Sequence, residues 1–158
     1  MKKTATLKHI DSDLDSIRNT LERVPDHFNM RHVVGSLFGA LLFGLPFVPK
    51  GLFIDVTAKL TPNHALAMLI SIAVILTMEI YYIGYARVHD KDKRHFGQFW
   101  GKRIVAYVAV GFFVSVFLIY LYGLNYLVAS QIHLRYLMLA LALPCCIGAS
   151  VTDLLKKY

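Results

Sequence analysis

The amino-acid sequence predicts an all-α membrane protein: four transmembrane helices preceded by a cytoplasmic amphipathic or coiled-coil helix. Composition is the first reason. Of 158 residues, 56% are apolar and only 17% are charged, whereas soluble domains carry about 25% charged residues. The mean hydropathy is +0.52. Charge placement is the second reason. Charges concentrate in the first 31 residues and in the stretch 87–103. Between them lie runs long enough to cross a bilayer, which takes roughly 20 apolar residues per helix. The third reason is a heptad period confined to the N-terminal segment. The chain therefore divides into a segment 1–28 and a transmembrane region 32–153.

In the N-terminal segment, Leu7, Ile10, Leu14, Ile17, Leu21 and Val24 recur at spacings of 3, 4, 3, 4 and 3. That is an a/d seam with Leu at every a position, a pattern that leans toward four strands rather than two. Asp13 at g and Arg18 at the next e suit parallel neighbours, and Pro25 ends the pattern. A homo-oligomer follows, with a tetramer favoured. The same stripe also suits an amphipathic helix lying on the membrane or folded onto the chain's own loops. The two early lysines are not followed by an apolar stretch, so no cleaved signal peptide is expected.

The first span, about 33–49, reads "GSLFGALLFGLPF". Gly35 and Gly39 make a GxxxG step, and Ser36, Ala40 and Gly44 make a second small-residue ridge. Such ridges let backbones approach closely in lipid, within one chain or between chains. Pro46 and Pro49 break or kink its end, and Pro46 is expected to pack between helices with Gly35, Gly39 and Gly44. The second span, about 65–86, begins after Thr61-Pro62-Asn63, a plausible helix start. The uncharged stretch 104–134 is too long for one helix. Divided near Gly123-Leu124-Asn125, it gives a third span at about 104–122 and a fourth at about 132–152.

Four crossings put both termini on one side, and the positive-inside rule chooses which. Fourteen Lys and Arg lie in the N-terminal segment, the 87–103 stretch and the C-terminus, against Lys50, Lys59 and Arg135 on the other side. Both termini are therefore expected in the cytoplasm of a cell with an inner membrane. Topology thus accounts for the net charge of +7, and no nucleic acid is implied. In "RHFGQFWGKR", 94–103, Trp100 is expected in the head-group zone, with Lys102 and Arg103 on lipid phosphates.

Glu79 interrupts the second span. It lies eight residues before Arg87, or about 12 Å of helix, too deep to reach the surface. An acidic residue at mid-span costs about 2.5–3.5 kcal/mol and usually faces a bundle interior or water. Glu79 is then either a hydrogen-bonded structural residue or a carboxylate lining a cation path. At helical spacing Tyr82 is its nearest local partner. Asp55 in the outer loop and Asp153 near the inner end of the fourth span are the other acids on such a path, or ordinary boundary residues.

Cys145 and Cys146, adjacent in an apolar run, read as small packing residues. His27, His32, His89 and His95 lack ligand spacing with carboxylate or cysteine support, so neither a metal nor another cofactor is expected. No nucleophile, phosphate loop or paired carboxylates suggest an enzyme. The segments "GALLFGLPF" (39–47) and "LTMEIYYIGY" (76–85) resemble a family of prokaryotic integral membrane proteins of unknown function. This chain departs from the family pattern in carrying Tyr81-Tyr82 where tryptophans are expected. The resemblance implies the membrane class and some importance for Glu79.

The resulting expectation is a homo-oligomer that conducts monovalent or divalent cations, as channel or transporter, with Glu79 on the path and membrane lipids around it. The alternative is a non-conducting scaffold or accessory subunit in which Glu79 is a structural hydrogen-bonding residue.

Overall fold

The computed structural model describes residues 30–48, 51–84, 96–128 and 130–155. The heptad positions Leu7, Ile10, Leu14, Ile17, Leu21 and Val24 lie outside them. Among the described residues the chain is helical apart from its connecting turns and contains no strand.

Helix α1 (Met30–Gly44) runs into a short 3-10 turn, Leu45–Phe47, with Pro46 inside it. Pro46 was expected to pack between helices. It is exposed instead, and its part is to end α1, because its ring supplies no N–H to continue the ladder. The eight-residue α2 (Gly51–Ala58) follows. Helix α3 (Pro62–Glu79) is capped by Thr61, whose backbone N–H donates to His64 Nδ1 at 3.3 Å. Pro62 fits the first turn, where its missing N–H costs nothing. After Glu79 the helix widens into a π segment, Ile80–Gly84.

Helix α4 (Phe96–Leu121) has 26 residues, about 39 Å of length. The chain then turns at Gly123, whose φ of 67° lies in the left-handed region that glycine adopts without steric cost. A 3-10 turn, Leu124–Tyr126, leads to α5 (Gln131–Leu155). Pro144 lies within α5 and deprives the Ala140 carbonyl of its usual donor. Four helical stretches are long and apolar enough to cross a membrane: Met30–Phe47, Pro62–Ile83, Trp100–Leu121 and Gln131–Leu155.

Helix α5 is the hub. Two-thirds of its span (67%) is buried, against 17% of the α3 span. Its most extensive interface is with α1, and small residues make it close. A Cβ added to Gly148 would fall 2.7 Å from Phe43 Cβ and overlap the Gly39 backbone, and one on Gly39 would overlap Gly148 and Thr152. Gly44 sits under Cys145, 2.6 Å from where its Cβ would be, and Gly111 of α4 under Cys146. Both cysteines are free and buried. Gly35 and Ser36 are buried on the same side of α1. The small-residue ridge is therefore used within the chain.

Helices α1 and α3 both lean on α5 and on α4, but form no substantial interface with each other. One end of the bundle gathers the start of α1, the end of α3, the start of α4 and the end of α5. We call it the polar end. Beyond it the core is apolar, built from Val114, Leu118, Ile119, Leu137 and Leu141. At the opposite end α2 is tied to α5: His133 Nε2 lies 3.1 Å from both Thr57 Oγ1 and the Ile54 carbonyl.

Candidate functional site

Two carboxylates occupy the polar end, and their surroundings differ. Asp153 stands near the end of α5 and is 1% exposed. Tyr107 of α4, also fully buried, donates its hydroxyl to Asp153 Oδ2 at 2.7 Å. The other oxygen, Oδ1, lies 2.6 Å from His32 Nδ1 at the start of α1. The Arg103 guanidinium reaches the Tyr107 hydroxyl at 3.5 Å and Asp153 Oδ2 at 4.0 Å. One acid thereby joins three membrane-spanning helices. A buried ion needs such partners, because its desolvation exceeds what one distant charge returns.

Glu79 terminates α3 and is half-buried. Its Oε2 accepts a hydrogen bond from Ser150 of α5, whose hydroxyl also lies 2.9 Å from the Ile147 carbonyl. Ser150 precedes Asp153 by three residues, a rise of about 4.5 Å. Asp153 thus stands on α5 one turn beyond the serine to which Glu79 is bonded. On the α4 side, Trp100 Nε1 donates to Thr77 Oγ1 at 3.0 Å and fixes the start of α4 against α3.

Several expected site residues take different places. Arg103, expected on lipid phosphates, is 3% exposed and turns inward, because the buried Asp153 charge draws it there. Trp100, expected in the head-group zone, begins its membrane-length stretch and is half-buried and bonded to Thr77. Lys102, two positions after Trp100 and one before Arg103, is exposed. Tyr82 is not the local partner of Glu79. It is 68% exposed and meets Tyr81 edge-on, with centroids 5.2 Å apart. The cause is the π segment: i→i+5 bonding rotates residue 82 away from where an α-helix would carry it. Asp55 is exposed in α2, beyond the far end of α3, whose 18 residues measure about 27 Å. It does not join Glu79.

Ser150, Tyr107, His32 and Thr77 are the side chains of the candidate site that sequence reasoning missed. A usable signal lies in "GASVTD", 148–153. There, small and hydroxyl residues end an apolar helix one turn before an acid, the composition of a close polar contact in lipid. Among the described residues, no group of three His, Cys, Asp or Glu side chains comes together as a metal cage.

The family described as "Putative integral membrane protein (DUF2391)" matches residues 5–155. The chain belongs to this family. No curated protein and no solved structure matches it. The match runs from the N-terminal heptad to the end of α5, far beyond the two motifs in the first two spans. It covers every residue of the polar end described above.

Proposed function

We propose that the chain is a homo-oligomeric, multi-pass protein of the cell membrane that serves as a non-conducting scaffold or accessory subunit, with both termini in the cytoplasm. The orientation rests on fourteen Lys and Arg on one side against three on the other. The scaffold role rests on one observation above all: Glu79 is hydrogen-bonded to Ser150 of its own chain. A carboxylate held between two helices of one subunit pins those helices. The apolar core beyond the polar end supports the same reading, since among the described residues Val114, Leu118, Ile119, Leu137 and Leu141 fill it.

A second reading keeps cation conduction, along the contact between copies rather than through one of them. It is favoured by the partial exposure of Glu79, which leaves the carboxylate accessible from outside its own subunit. Cation flux into proteoliposomes separates the two. The scaffold reading expects wild type and Glu79→Gln to match protein-free liposomes. Flux above that background, altered by Glu79→Gln, overturns it in favour of conduction.

A further inference from the structure

Helix α3 has a polar flank that its own chain leaves incomplete. Among the described residues Glu79 Oε2 is held by Ser150, while Oε1 has no partner. Thr77 faces Trp100 of α4. At about 100° per residue, Glu79 lies about 200° around α3 from Thr77. The carboxylate therefore opens on the side away from α4. On that side, among the described residues, α3 and α1 form no substantial interface with each other. Among the described residues the bundle thus has an open flank, with α3 and α1 as its rims and α5, which carries Ser150, behind them.

The α1 rim carries the opposite charge. Arg31, Val34, Phe38 and Leu42 follow one another at helical spacings and are all exposed. Arg31 has no ion-pair partner among the described residues. Its level matches that of Glu79. Arg31 is next to His32, which binds Asp153, and Glu79 binds Ser150 one turn away on α5. An arginine stem covers that offset.

We propose that this open flank is a two-fold interface between copies of the chain, in which Glu79 takes the guanidinium of the partner's Arg31. The geometry follows from symmetry. Two copies inserted in the same direction and related by a two-fold axis along the membrane normal, placed at the open flank, set α3 of each against α1 of the other. In such an isologous contact each pairing occurs twice. The partner's Arg31 then meets Glu79, and Arg31 meets the partner's Glu79. Charge complementarity selects a second copy as the occupant: a half-exposed carboxylate in lipid is unfavourable, and guanidinium–carboxylate pairs bond through two parallel N–H groups. The stripe Val34, Phe38 and Leu42 continues the contact along α3.

The inference rests on the homo-oligomeric part of the proposed function, and disulfide trapping tests both separately. In a Cys145→Ala, Cys146→Ala background in nanodiscs, a chain carrying Arg31→Cys mixed with one carrying Glu79→Cys yields a linked species of twice the chain mass. Val34→Cys with Ile75→Cys gives the same product while leaving both charges in place. This second pair covers the case in which loss of Glu79 unfolds the chain. Arg31→Glu abolishes the dimer, and adding Glu79→Arg restores it. A wild type that is oligomeric by native mass spectrometry yet gives no cross-link from either pair overturns this interface and leaves the flank to lipid or another protein. A monomeric wild type overturns the oligomeric reading itself.

Discussion

Asp153 and Glu79 are acids at the same end of the same bundle, attached to α5 one turn apart, yet they occupy different environments. Asp153 is sealed, with a tyrosine, a histidine and an arginine converging on it from two other helices. Glu79 has one serine and an open side. The difference comes from the helices that carry them. Asp153 stands on the most buried span, Glu79 on the least buried. Depth in the membrane alone does not decide what an acid does. A carboxylate on the hub helix meets donors on every side, whereas one on a peripheral helix keeps a face for something outside its chain.

The largest break in this comparison is Asp153→Ala. It leaves Arg103 buried, and removing one partner of a buried pair costs about 3–5 kcal/mol. The loss should appear as a strongly lowered midpoint in thermal unfolding in detergent, with α1 and α4 loosened from α5. A midpoint near wild type would show that Asp153 is not the joint of these three helices.

Next comes Tyr107→Phe. It deletes the hydroxyl that bonds Asp153 at 2.7 Å without opening a cavity. A hydrogen bond to a charged group contributes about 1.5–3 kcal/mol. The same melt should therefore place this variant between wild type and Asp153→Ala. Since the residues touch, the double variant should cost less than the sum of the singles. Strict additivity would mean that the bond contributes little.

How much of this could be read beforehand follows the same divide. The four membrane helices were legible because lipid demands long uninterrupted apolar runs. That a lone acid would interrupt the second span was legible, because Glu79 is the one acid between Asp55 and Asp90. The fate of Arg103 was not. Composition places an arginine in a basic, aromatic stretch at the membrane boundary, and only the fold reveals that Asp153, 50 positions away in the sequence, turns it inward. Ser150 was hidden for a related reason, since a serine in an apolar helix carries no sign of the helix it will meet. The small residues of α1 did announce a close approach. Whether their counterpart was Gly148 of the same chain or another copy was a question of long-range contact, which local spacing does not contain.

The smallest expected effect sharpens the comparison most. Helical spacing alone would assign Tyr82 to Glu79 as Tyr107 is assigned to Asp153, making the two sites alike. The π segment breaks that likeness by rotating Tyr82 outward, where it is 68% exposed and meets Tyr81 edge-on. Removing its hydroxyl by Tyr82→Phe should therefore change stability by no more than about 0.5 kcal/mol, the range of an exposed substitution. Measured in the same detergent and by the same melt, Tyr107→Phe and Tyr82→Phe are one chemical change made beside two acids. Unequal losses support one sealed and one open carboxylate. A loss at Tyr82 as large as that at Tyr107 would mean that Glu79 is closed by its own helix, and the open side ascribed to it would vanish.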